Sequence, residues 1–254
     1  MFRIFLMQTR AEMIKFYRIP AFSFFSLGLP LIIFVFFGLQ RSTEHIAPGS
    51  SITVGTFVMA SMAAYTVGNV MVFSFGMALA VERGQKQDVL LRATPLPPAI
   101  YILAKVVNAA VFALIALVAL FVFAHFTAHV SLDAGTWVSL AGRLLLGSIP
   151  FIGLGLGFGY LVGPNAAPAV INIVYLPIAF ASGIFIPVNQ LPTFLQSWAP
   201  YLPLHPFVEL GWSAIGAPTD QAVSTAVLYL VGYAVVFFAL AVWAYGRDTA
   251  TKFA

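Results

Sequence analysis

Thirty consecutive residues, Ile52 to Val81, pass without a single charged side chain. As a helix this run is about 45 Å long at 1.5 Å per residue, against a bilayer hydrocarbon core of about 30 Å. Such a helix must tilt or project beyond the membrane it crosses. Further apolar runs cover Ile19 to Leu39, Ala99 to Phe126, Trp137 to Val162, Ala169 to Ile186 and Ala222 to Tyr245. Each approaches or exceeds the ~20 residues that one span requires. The expectation is an all-α polytopic membrane protein with six transmembrane helices. Composition agrees, with only 8% of residues charged and a mean hydropathy of +0.98. Soluble domains carry roughly a quarter charged residues.

Residues 1–18 alternate Arg3, Arg10, Lys15 and Arg18 with apolar side chains. They lack the uninterrupted apolar core and small-residue site of a cleavable signal. An amphipathic helix lying in the cytoplasmic interface is expected there, with residues 19–254 forming the six-helix domain. After the fifth run, residues 187–218 are rich in proline and aromatics, too broken to span and too apolar for an open loop. Short helices dipping into the outer interface, sheltered by protein, fit that pattern.

The longest polar stretch inside the chain is 82–98, Glu82-Arg83-Gly84 through Pro95-Leu96-Pro97-Pro98, which holds five of the twenty charged side chains. Charge at that density costs too much in hydrocarbon, so the stretch is expected as a solvated loop between spans. With the N-terminus inside, Arg3, Arg10, Lys15, Arg18, Arg83, Lys86, Arg92, Lys105, Arg247 and Lys252 fall on the cytoplasmic side. Only Arg41 and Arg143 fall outside. The excess of Lys and Arg puts both termini and the 82–98 loop in the cytoplasm. It also accounts for the net charge of +4, which therefore gives no argument for nucleic acid. Lys105, near the start of its span, is expected to snorkel towards the headgroups.

Catalytic sets are hard to find. The chain has no cysteine, which removes disulfides and thiolate metal sites. His125 and His129 lie four apart, as metal ligands on one helical face can, yet no HExxH pattern accompanies them. His205 and Glu209 share that spacing and fit a local i,i+4 pair in an outer helix better than a proton relay. The series Gly153, Gly155, Gly157, Gly159 matches no dinucleotide fingerprint; small residues at such intervals let membrane helices approach closely. Polar residues within the runs are few, and Asn69 and Asn172 are the candidates for lining a transport path. Every Asp and Glu lies in a loop, a terminus or at a span edge, unlike the membrane-depth acids of ion-driven transporters. No GxxxxGK[ST] phosphate loop is present, so energy for driven transport must enter from another chain. A passive channel or scaffold subunit, or a membrane-embedded metal enzyme, are the alternatives.

Two motifs carry a family resemblance. Glu82-Arg83-Gly84, followed by Leu90-Leu91-Arg92-Ala93-Thr94-Pro95-Leu96-Pro97, resembles the loop between the second and third spans of type-2 ABC exporter permeases. Ser182-Gly183-Ile184-Phe185-Ile186-Pro187, then Leu191-Pro192 and Leu202-Pro203-Leu204-His205-Pro206, is similar to that family's outer re-entrant segment. Gly84-Gln85-Lys86 departs from the family's more usual His-Gly-Thr type of turn. The resemblance spans essentially the whole chain. It implies a non-catalytic subunit of a bacterial inner-membrane exporter that dimerises with itself or a related permease. Two ABC-type ATPase subunits would dock on its 82–98 coupling helix, with ATP and Mg2+ on those partners and no cofactor on this chain. Substrates of this family are drugs, lipids, polysaccharides and peptides, and a small hydrophobic or amphipathic molecule is expected here.

Overall fold

The computed structural model describes residues 5–10, 13, 28–86 and 97–253. Residues 5–10 are helical. Then come α1 (Leu29–Phe34), continued by a π-helical turn (Val35–Leu39), α2 (Val54–Gly84), α3 (Pro98–Ala128), α4 (Ala134–Gly147) and α5 (Ile149–Leu161). The chain continues with α6 (Ala167–Ala181), the short α7 (Thr193–Trp198), α8 (Leu204–Ala214) and α9 (Val223–Phe253). Among the described residues β pairing is confined to one bridge, His45 to Thr53.

Local chemistry sets the boundaries. Thr53 caps α2 by accepting from the Thr56 amide at 3.3 Å, and Asp133 caps α4 by accepting from the Thr136 amide at 2.9 Å. These bonds satisfy amides that a helix start leaves without a partner. The Thr136 bonds also hold the Asp133 carboxyl below its ordinary pKa. Pro98 opens α3, where a missing N–H costs nothing. Pro150 has the opposite effect in the fourth apolar run. The expected span is divided at Ser148, and α5 restarts with Pro150 in its first turn.

Among the described residues four stretches are long and apolar enough to cross a membrane: Val54–Gly84, Ile100–Ala128, Ala134–Leu161 and Val223–Asp248. Two shorter apolar helices, Leu29–Leu39 and Ala167–Ala181, accompany them. The first expected span is described only from residue 28. The fifth stops at Ala181 because Ser182 and Gly183, the latter at φ +81, turn the chain away.

α2 occupies the centre. Nearly its whole length from Met59 to Ala80 is buried, between α3, α5, α6 and α8. α3 and α9 lie outside it and expose Leu103, Ile115, Val122, Leu228, Val235 and Val242, a surface suited to lipid. The glycine series explains how α5 fits between α2 and α9. Residues two apart on a helix point to opposite sides, whereas residues four apart share one. A Cβ on Gly155 would lie 2.7 Å from the Val72 carbonyl, and one on Gly159 would lie 2.9 Å from Leu79. On the other side, a Cβ on Gly153 would lie 3.0 Å from the Phe238 amide. Gly153 and Gly157 thus face α9, while Gly155 and Gly159 face α2. Helix packing is what the series serves.

The segment after α6 folds back onto α2 as a set of short helices. α8 is buried from Leu204 to Trp212. Trp212 stacks on Phe57 with ring centroids 4.7 Å apart and donates its indole N–H to Ser61 Oγ at 2.9 Å. α8 is therefore covered by protein, beside the first turns of α2. Phe194, Trp198 and Tyr201, earlier in the segment, are exposed, so the shelter expected for 187–218 holds for α8 and not for α7.

Candidate functional site at the charged base of the bundle

α2 ends where Lys86 enters the left-handed region at φ 57 and its amide donates to the Arg83 carbonyl at 3.0 Å. Glu82 and Arg83 precede this stop within the last helical turn. Adjacent residues point about 100° apart on a helix, so the two side chains address different neighbours.

Glu82 faces α3. Lys105 Nζ donates to Glu82 Oε1 at 2.8 Å, and the Tyr101 hydroxyl donates to Oε2. Tyr101 and Lys105 are one turn apart on α3, with the ammonium 5.0 Å from the ring centre. Glu82 is only 4% exposed and Lys105 only 6%. The expected snorkelling of Lys105 is thus replaced by an internal ion pair. The reason is proximity: a carboxylate already lies at the same depth on the neighbouring helix, and pairing offsets part of the desolvation that burial imposes on each charge.

Arg83 faces the other way. Its Nη1 donates to the Gly159 carbonyl of α5 at 2.6 Å, its Nη2 pairs with Asp248 of α9, and its guanidinium lies 5.7 Å from the Tyr160 ring. Gly84 sits against the next turn of the chain, since a Cβ there would lie 2.6 Å from Pro164. The N-terminal helix joins the same end, where Asn108 of α3 donates to the Thr9 carbonyl at 3.0 Å. A single turn of α2 therefore ties together α3, α5, α9 and the 163–168 turn. Of the expected coupling residues, Glu82, Arg83, Gly84 and Pro97 are described. Leu90, Leu91, Thr94, Pro95 and Leu96 lie outside the described residues, as does most of the expected interfacial helix 1–18.

At the opposite end, Gly183 takes a backbone conformation that favours glycine; Leu191 and Pro203 are buried, and Pro187 and Pro192 are exposed. His205 Nε2 lies 3.5 Å from Glu209 Oε1, so their i,i+4 spacing does bring the two side chains together. His125 instead donates from Nδ1 to the Val130 carbonyl at 2.9 Å as α3 ends at His129. Asn69 is enclosed in α2, whereas Asn172 is half-buried on α6 and donates to the Pro168 carbonyl of its own helix.

Sequence reasoning missed Tyr101, Asp248 and Pro164 as partners at the base, and Ser182 and Asp220 beside His205. One signal was present. A lysine inside an apolar run calls for a counter-charge, and Glu82 is the carboxylate that closes the preceding apolar run.

Comparison with known proteins gives this geometry its context. The family model described as ABC-2 type transporter matches residues 4–215. The chain belongs to the ABC-2 type transporter family. It is also 26% identical over 235 residues to a Bacillus subtilis (strain 168) protein named "Putative transport permease YvfS", an alignment covering 92% of this chain and 93% of that one. The ABC-2 assignment makes the chain a multi-pass membrane protein and a permease subunit, in a family whose members normally work with ABC-type ATPase subunits.

Proposed function

We propose that this ABC-2 permease is the membrane half of an ATP-driven exporter in a bacterial inner membrane. It crosses the bilayer six times with both termini cytoplasmic. Two permease chains pair, and two ATPase subunits grip their 82–98 loops. The cargo is a hydrophobic or amphipathic molecule leaving the cytoplasm or the inner leaflet.

The observation that supports this reading is the set of ties made by Glu82 and Arg83. Both face inward, so they act as fasteners, and contact with the ATPase falls to the residues that follow. A push on the loop reaches α2 first, and through the two ties it moves α3, α5 and α9 with it. Closure of an ATPase dimer can be passed on in this way as rigid-body motion. The Tyr65 ring is 5.5 Å from Tyr175 and Asn69 is enclosed, so among the described residues the middle of α2 is packed shut. Cargo passing along the outside of the protomer fits the apolar surfaces of α3 and α9.

The absence of cysteine makes a direct test available. Lys86→Cys, at the exposed start of the loop, is expected to cross-link to the cognate co-expressed ATPase. Asn189→Cys, exposed at the other end, is expected not to. Failure of the first, or capture by the second, overturns the docking surface.

A further inference from the structure

We propose that His205, Glu209 and Asp220 form a binding site for a divalent transition-metal ion of the zinc class. The cluster lies at the end of the bundle remote from Glu82, where α8 meets the loop leading into α9. One potential ligand atom from each of the three side chains lies within 4.8 Å of the others.

The imidazole is set for this role. His205 is fully buried, and its Nδ1 lies 3.0 Å from the Ser182 carbonyl. A carbonyl only accepts, so Nδ1 carries its hydrogen and Nε2 is the atom turned towards the carboxylates. Metal-bound histidines are commonly fixed in this way by a backbone carbonyl on the far nitrogen. Nε2 lies 3.5 Å from Glu209 Oε1 and 3.8 Å from Asp220 Oδ2. Charge-assisted hydrogen bonds close to about 2.7–2.9 Å, so neither separation is one. Both approach the ~3.4 Å edge of a tetrahedron built from metal–ligand bonds of about 2.1 Å.

Two buried atoms also lack partners. Glu209 is 1% exposed. Its Oε1 accepts from the backbone amides of Asp220 at 2.8 Å and Gln221 at 3.1 Å, which orients the carboxylate. Its Oε2 and His205 Nε2 have no hydrogen-bond partner. Buried polar atoms are rarely left so, and a cation held by Nε2 and the Glu209 carboxylate gives both residues a partner. One imidazole with two carboxylates suits zinc, nickel or copper better than magnesium or calcium, which favour all-oxygen shells. The Asp220 side chain is 69% exposed and provides the way in from solvent. A bound ion would fasten α8 to the start of α9 and, through Ser182, to the end of α6.

The test uses the full chain in detergent, purified without a polyhistidine tag and stripped with a chelator. Cobalt(II) is expected to bind at one ion per chain with the intense visible bands of four-coordinate Co2+, and zinc to bleach them. Asp220→Asn alters an exposed side chain and should weaken binding at least about tenfold; His205→Gln should abolish it. Cobalt that gives no such bands, or that binds both variants like the parent, overturns the site and leaves a simple imidazole–carboxylate ion pair.

Discussion

Lys105 Nζ reaches Glu82 Oε1 at 2.8 Å across 23 residues of sequence, and both side chains are shut away from solvent. A buried pair of this kind has a characteristic response to mutation. Removing one partner strands the other charge and costs about 3–5 kcal/mol, whereas removing both costs much less. Lys105→Met and Glu82→Gln should each lower the thermal stability of the detergent-solubilised protein strongly. The double variant should recover most of that loss in a double-mutant cycle, while additive losses would contradict a direct pair.

Arg83 serves two acceptors on different helices, the Gly159 carbonyl and Asp248. A planar fork can do this, and a lysine ammonium on a single stem cannot hold both in the same geometry. Arg83→Lys is expected to keep the fold and the ATPase complex but reduce transport several-fold. Transport at the parent rate would show that the tie to α9 is dispensable.

Gly155 and Gly142 offer a matched comparison. A methyl on Gly155 would press on the Val72 carbonyl, while one on Gly142 meets nothing within 4 Å. Gly155→Ala should destabilise by about 1–3 kcal/mol through overpacking. Gly142→Ala should be neutral or stabilising by up to about 1 kcal/mol through helix propensity. Thermal unfolding of the two variants side by side checks the sign of each.

The Trp212 indole donates to Ser61 Oγ at 2.9 Å in a buried setting. Ser61→Ala leaves that N–H without a partner, at a cost of about 1–3 kcal/mol. The change should appear as a lower unfolding temperature and a shifted tryptophan emission. An unchanged spectrum and stability would argue against the bond.

Much of this arrangement could be read from the chain before its coordinates. The apolar runs marked an all-helical membrane protein and located α2, α3 and α9, the glycine series indicated close packing, and His205 with Glu209 was recognisable as neighbours. What the residues did not disclose was orientation. α2 is apolar all round, and a helix without a polar stripe does not reveal whether it faces lipid or protein. Its many Ala, Gly, Ser and Met residues, set against the branched Leu, Ile and Val of α3 and α9, were the available sign that α2 is enclosed. Glu82 and Arg83 read as part of a solvated loop because linear context places them beside Lys86 and Asp88. Their true neighbours, Lys105 and Asp248, come from distant segments. The shortened fifth helix escaped notice because Ile184, Phe185 and Ile186 prolong the apolar run beyond the turn at Gly183.

The division at Ser148 and Pro150 separates two mechanical regimes. Below it, α5 is laminated between α2 and α9 with almost no side-chain padding, so those three rods can shift only as one plate. Above it, α4 contacts the rest mainly through α8, and a proline interrupts its continuity with the plate. The break at residues 148–150 is therefore the one place along this run where α4 can turn relative to the plate without disturbing the glycine-tight contacts.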